Sequence, residues 1–299
     1  MKKNRQRILV VLVMLVAIQC SEKEEDTVTA PESTKLRGSW SPYWSTLFHD
    51  GVPYEGENFI VFSDKSSQEW RKTVAELAEE SLLDIKTNFN LTDEDFRFVG
   101  TQPEKKIHIL TNYDQWNIAV AYRDGIIIRS KDGPNFFGDH DTWHKVFQHE
   151  ITHVIEFLLI GEFNQRNSNS VWMREGFGNY GARNHRIQTV AQLKDWQDTM
   201  KDVPGEGNPI RIIKWSDFPK SVVDNGTTGE FYGFFELGVR YLLDEENGNG
   251  TSIENLKAYF EDLAGGSNQN SAFTKNFGIT VSEFRDSFWI LMEDYLTEQ

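Results

Sequence analysis

Residues 149–153 read His-Glu-Ile-Thr-His, and this short segment constrains the fold more than any other part of the chain. Residues four apart lie on one face of a helix, one turn apart. His149 and His153 can therefore meet one metal ion from the same side, with Glu150 placed to reach a water on that metal. Two imidazoles and a neighbouring carboxylate base are typical of zinc peptidases. The pattern predicts a helix that carries a Zn²⁺ site.

The sequence around this segment also predicts an amphipathic helix over residues 142–159. Apolar residues recur with the spacing of one helix face. They are Phe147, Ile151, Val154, Ile155 and Leu158. His149 and His153 fall roughly opposite this stripe. One side of the helix is expected to pack into a core while the other side faces a cleft.

A third ligand is needed, because a catalytic zinc takes three protein ligands and keeps one position open. The metzincin pattern requires Gly and His at positions where this chain has Glu156 and Leu159. Residues 171–180 read VWMREGFGNY. They resemble the Trp-x-x-Glu-Gly-x-x-x-Tyr segment of gluzincin peptidases, the group that includes aminopeptidase N and thermolysin. The resemblance implies that Glu175 is the third zinc ligand.

Further site residues follow from the same resemblance. Asn179 stands where the thermolysin-like pattern has an Asp that contacts a ligand histidine, which implies a supporting role behind the metal. Residues 231–242, FYGFFELGVRYL, are similar to the gluzincin helix in which a Tyr precedes a Tyr-Leu pair by nine residues. In that family the first Tyr donates to the oxyanion, a role implied here for Tyr232. A core role for Tyr232 is the alternative. Glu156 is expected behind the ligands or at the surface.

A substrate strand is expected just upstream of the zinc helix. Gly125, Ile126, Ile127 and Ile128 have the β-branched character of a strand. By analogy with the family, this would be the edge strand that pairs with an extended peptide. Aminopeptidases of the group carry a Gly-x-Met-Glu-Asn segment that holds the free amine, and this sequence contains none. A metalloendopeptidase is therefore expected. The alternatives are an aminopeptidase with another amine anchor and a noncatalytic lipoprotein that uses the fold for binding.

The N-terminal residues have the features of a targeting segment. Four basic residues precede an apolar run that is too short to span a bilayer comfortably. The run ends at Cys20, the single cysteine of the chain, and this boundary resembles that of a bacterial lipoprotein. Residues 1–19 are then a signal peptide, Cys20 is lipidated and residues 20–38 form a flexible acidic tether. The expected location is the outer membrane, either cell-surface exposed or facing the periplasm.

The formal net charge of −15 argues against nucleic acid as a partner, because basic patches supply affinity for phosphates. The expected partner is a peptide or protein substrate, and the expected state is a monomer. Membrane contact is expected only through the N-terminal lipid.

The remaining pattern predicts an α+β fold of the zincin type. Strands are expected at residues 58–62, 106–110 and 125–129, with a helix over residues 70–89. Residues 39–160 would form a half with a small mixed sheet that ends in the zinc helix. Residues 161–299 would form a mainly helical half, closed by a helix that a capping box opens at Thr280.

Overall fold

A computed structural model gives the fold of the following parts of the chain: residues 53–62, 67–92, 106–111, 119–122, 125–128, 140–160, 171–201 and 228–299. The predicted signal peptide, Cys20 and the predicted acidic tether lie outside these residues. None of the helices in these parts has the length and apolarity needed to cross a membrane.

Five short strands form a mixed sheet. They are β1 (Tyr54–Glu55), β2 (Phe59–Phe62), β3 (Ile107–Thr111), β4 (Ala119–Tyr122) and β5 (Gly125–Ile128). Their order across the sheet is β1-β2-β3-β5-β4. The three central strands run parallel to one another, while β1 and β4 are antiparallel to their neighbours.

Helices dominate the rest of the described chain. Those of the first half are α1 (Gln68–Asn88) and α2 (His140–Ile160). Those of the second half are α3 (Val171–Gly181), α4 (Val190–Lys201), α5 (Thr228–Leu243), α6 (Ile253–Ala264), α7 (Gln269–Phe277) and α8 (Val281–Glu298). The predicted α+β class is confirmed, with the mixed sheet in the first half and a mostly helical second half.

The predicted strand at Gly125–Ile128 forms, but its expected position at the edge of the sheet is wrong. β5 pairs with β3 on one side and with β4 on the other. All four of its residues are buried, which suits a run of consecutive apolar side chains in an internal strand. The outer strand on this side of the described sheet is β4, and it packs beside α2.

The predicted amphipathic helix is α2. Its apolar stripe enters the main core, where Phe147, Ile151 and Val154 have no solvent exposure. The same core cluster includes strand residues such as Ile109 and helix residues of the second half such as Phe235. Since one continuous cluster joins the sheet, α2, α3 and α5, the two histidines of α2 are held on a fixed support.

α3 lies between α2 and α5, and a glycine allows its close approach to α5. A Cβ atom added at Gly176 would come within 2.5 Å of the Phe235 carbonyl oxygen and 2.8 Å of its carbonyl carbon. No side chain fits there without separating the two helices, because contact with backbone atoms cannot be relieved by a change of rotamer. Glycine is an unfavourable residue within a helix, yet here it brings α3 and α5 together beside the two histidines.

The final helix begins as its sequence predicts. The Thr280 hydroxyl accepts a hydrogen bond from the Glu283 amide at 3.0 Å, and the Glu283 carboxylate accepts one from the Thr280 amide at 2.9 Å. This reciprocal pair is the predicted capping box, and it satisfies donors that would otherwise lack partners at the start of α8.

Candidate metal centre

His149 and His153 lie one turn apart on the face of α2 that is turned away from the core stripe. Their ring centroids are 4.6 Å apart, and the rings are nearly perpendicular. The two Nε2 atoms are separated by 3.0 Å. The predicted helical spacing therefore brings one nitrogen of each imidazole to a common point.

Glu175 reaches this point from α3. Its Oε2 atom lies 3.5 Å from Nε2 of His149 and 3.6 Å from Nε2 of His153. Within the described part of the chain, these three side chains are the group whose ligand atoms all lie within 4.8 Å of one another. Two imidazole nitrogens and a carboxylate oxygen suit a transition metal ion. The triad is largely buried and could hold such an ion.

Glu156 supports the triad from behind. Its carboxylate has no solvent exposure, and Oε2 lies 3.3 Å from Nδ1 of His153. A carboxylate in this position accepts a hydrogen bond from Nδ1–H and leaves Nε2 of His153 facing the other two ligand atoms. Metal-binding histidines commonly have such a partner, which fixes both the tautomer and the orientation of the ring.

The charges around His153 favour a cation in the metal-free protein. Burial alone lowers the pKa of His153, but the charge of Glu175 and the hydrogen bonds to Glu156 and Glu175 raise it to about 10. Burial raises the pKa of Glu175, but the two histidines hold it well below its usual range. The site therefore holds a proton where it could hold a metal ion, and the two compete.

Glu150 is turned towards the outer strand of the sheet. Its side chain is buried, and the carboxylate accepts a hydrogen bond from the backbone amide of Ala121 in β4. Burial raises the pKa of Glu150, while the neighbouring histidine charges lower it; the net shift is upwards. A carboxylate with a raised pKa beside the triad is suited to accept a proton and release it again.

Tyr232 reaches the same place from α5. Its ring lies edge-on to that of His149, with 5.9 Å between the centroids, and its hydroxyl donates a hydrogen bond to Glu175. Burial and the charges of Glu175 and Glu150 raise the pKa of Tyr232 well above its usual value. The phenol is thus a neutral donor at the triad, although the residue is also part of the main core.

Asn179 lies close to the site but contacts different atoms from those expected. Its amide donates to the backbone carbonyl of Glu175 at 2.8 Å, and its Oδ1 atom accepts from Asn184 at 3.1 Å. The described hydrogen bonds of Asn179 thus go to the end of α3 and not to a histidine ring. Glu156 takes the supporting position that the family resemblance implied for Asn179.

Gly178 is a site residue that the sequence analysis missed. A Cβ atom at this position would lie 2.8 Å from Cε1 and 2.9 Å from Nδ1 of His149. The bare backbone of α3 therefore provides the surface on which the His149 ring rests. The signal in the sequence was the presence of Gly176, Gly178 and Gly181 in one short helix, which costs helix propensity and calls for a packing reason.

No family model, curated protein or solved structure matches this chain. The assignment of the triad therefore rests on the five-residue pattern of α2, the position of Glu175 and the distances between their ligand atoms.

We expect Gly178→Ala to weaken metal binding about tenfold to a hundredfold while leaving the protein folded, since changes behind a ligand typically have effects of this size. The added methyl group displaces the His149 ring, although alanine favours the helix. Competition with a chromophoric chelator for Zn²⁺ measures the effect. Gly265→Ala is the matched control, because a Cβ atom there meets only ordinary contacts at 3.4 Å. Equal metal affinity in the two variants would contradict the proposed role of Gly178.

The raised pKa of His153 predicts that metal affinity increases with pH. Below about pH 10 the ion must displace the His153 proton, so from pH 6 to pH 8 the dissociation constant should fall by up to about a hundredfold. Zn²⁺ titrations in buffers of different ionisation enthalpy measure both the affinity and the proton released. Glu156→Gln removes one carboxylate that raises the pKa of His153. The metal affinity of this variant should therefore stop increasing at a lower pH than that of the unchanged protein. A flat profile in the unchanged protein would rule out this competition.

Proposed function

We propose that the chain is a zinc-dependent peptidase that cuts within peptide chains, with His149, His153 and Glu175 as the zinc ligands. The observation that carries this proposal is the meeting of five side chains from three helices. The triad lies beside a buried carboxylate, Glu150, and a neutral phenol, Tyr232. A structural metal site needs neither a base nor a neutral donor next to the ligands.

Glu150 acts as the general base in this proposal. It accepts a proton from the attacking water and passes it to the leaving amine. The Ala121 amide holds one side of the carboxylate, and burial keeps its pKa above that of an exposed glutamate. The amide hydrogen bond favours the ionised carboxylate that accepts the proton, and burial favours the protonated form, so Glu150 can hold a proton for part of the cycle. Zinc, when bound to the triad, supplies a Lewis acid and lowers the pKa of a water molecule.

Tyr232 stabilises the negative charge that develops on the carbonyl oxygen of the substrate. The phenol stays protonated at working pH because its pKa is raised by burial and by two neighbouring carboxylates. In the free protein its hydroxyl donates to Glu175, so that oxygen is already aimed at the triad. A hydrogen-bond donor in this buried position stabilises the developing charge more strongly than the same donor would in water.

The substrate lies along β4 in this proposal, and not along Gly125–Ile128. β4 is the outer strand on this side of the described sheet, and its Ala121 amide points towards Glu150. An extended peptide that paired with the outer side of β4 would pass directly beside the base. The proposed substrate is a peptide or protein in extended form.

The cellular setting is part of the proposal and is supported by sequence alone. A lipid on Cys20 would anchor the enzyme to the outer membrane, and the acidic tether of residues 20–38 would hold the folded part away from the lipid surface. The protein would act as a monomer on peptide or protein substrates.

Glu150→Gln should lower kcat by about a hundredfold to ten-thousandfold while zinc affinity stays within the same range, because the amide cannot accept the proton. A zinc-loaded protein incubated with a diverse peptide mixture, with products identified by mass spectrometry, provides the measurement. Glu76→Gln, a surface change at an ion pair with Lys72, is the matched control. Internal cuts that Glu150→Gln retains at full rate would refute the mechanism. Removal of single N-terminal residues would instead indicate an aminopeptidase.

Tyr232→Phe separates a catalytic role from a core role, because phenylalanine fills the same space without the hydroxyl. If Tyr232 stabilises the transition state, kcat should fall about a hundredfold to a thousandfold with little change in KM. Steady-state kinetics on one peptide from the mixture measures both quantities, and a urea titration checks stability. An unchanged kcat would assign Tyr232 to the core alone.

A further inference from the structure

Residues 185–187, which follow α3, are attached to α5 through His185 and Ile187. Nδ1 of His185 lies 2.7 Å from Oε1 of Glu236, a carboxylate with no solvent exposure. Arg240, one turn further along α5, places its Nε atom 3.1 Å from the same oxygen. A buried carboxylate held by a histidine and an arginine is a strong attachment, because separating it from Arg240 would leave a charge buried and unpaired.

Arg186 is held between two such attachments. On one side is His185 with its contact to Glu236, and on the other is Ile187, which is buried and whose carbonyl accepts a hydrogen bond from Arg240. With both neighbours fixed to α5, the backbone of Arg186 has little freedom. Its position relative to Tyr232 is therefore set by the fold.

The side chain of Arg186 passes over a glycine beside Tyr232. A Cβ atom at Gly233 would lie 3.0 Å from Cβ and 3.5 Å from Cδ of Arg186, so the aliphatic stem rests directly on α5 at the residue that follows Tyr232. Arg186 itself is exposed. The Arg186 charge acts on the Tyr232 hydroxyl, so this cation lies within electrostatic reach of the phenol.

We propose that Arg186 is a specificity-determining residue that binds a substrate carboxylate, from either an acidic side chain or a free C-terminus, next to the scissile bond. This inference rests on the proposed function. A guanidinium binds a carboxylate through two parallel hydrogen bonds, which gives both affinity and orientation.

The charge of the surroundings makes such a cation decisive for selectivity. The chain has a net charge of −15, and Glu150 and Glu175 lie in the site itself. An anionic substrate group would be attracted at Arg186, although the chain as a whole is negatively charged. Selectivity then arises from an attractive contact at this one position.

Matched peptides test the proposal. Blocked peptides that differ only by Glu or Gln, scanned through the positions around a cut, report on side-chain carboxylates. Neutral peptides with free or amidated C-termini report on the terminal group. At one position, or at the C-terminus, kcat/KM should be about tenfold higher or more for the carboxylate, as expected for a hydrogen bond to a charged group. Arg186→Gln should abolish this preference and leave the uncharged peptides within about twofold.

Arg183→Gln is the matched control, because it removes the same charge three residues away. Its guanidinium donates to Asn88 of α1, away from the triad. This variant should keep the preference for carboxylates. If Arg186→Gln lowers kcat/KM equally for charged and uncharged peptides, or if the unchanged protein shows no preference, the proposal is wrong.

Binding measurements keep this proposal distinct from the peptidase activity. Zinc-loaded Glu150→Gln, with and without Arg186→Gln, is titrated with fluorescein-labelled Glu and Gln peptides, and fluorescence anisotropy is recorded. Tighter binding of the carboxylate peptides that depends on Arg186, without cleavage by the unchanged protein, would support the carboxylate site and reject the peptidase. Cleavage that does not depend on Arg186 would instead support the peptidase and reject the carboxylate site.

Discussion

The packing of α3 between α2 and α5 is the contact on which the site depends. Gly178 allows the backbone of α3 to meet the His149 ring, and Gly176 allows it to meet the carbonyl of Phe235. With α3 in this place, Glu175 faces the two histidines and Tyr232 faces Glu175. A bulkier α3 would hold its neighbours further apart, and side chains from three helices would no longer meet at one point.

The charges of the buried side chains explain why this cluster favours a bound cation. Glu150, Glu156 and Glu175 lie within or directly behind the pair of histidines, and burial disfavours the charged form of Glu150 and Glu175. A positive charge at the centre lowers this cost, and in the metal-free protein the proton on His153 provides it. A divalent ion offers twice that charge and three directed bonds.

Local signals in the sequence predicted most of the site. The spacing of His149 and His153 follows from helix geometry alone, and Glu175 followed from a resemblance to a short family pattern.

The order of β5 and β4 was not predictable in the same way. A tight connection makes two strands neighbours, but which of them lies outside is decided by what β3 pairs with. The side chain of Asn179 bonds to the carbonyl four residues earlier, a local option open to any helical asparagine. Arg186 depends on contacts across distant segments, which no local pattern records.

The separation of the ligands along the chain has a consequence for folding. A metal ion shared by His153 and Glu175 would tie together positions 22 residues apart, as a covalent cross-link would. Closing a loop of this size restricts the unfolded chain by about 3 kcal/mol on the loop-entropy model. A chain with one cysteine cannot form such a tie from its own sulfur atoms. Binding of the ion would therefore make the stability of the folded chain depend on the supply of metal.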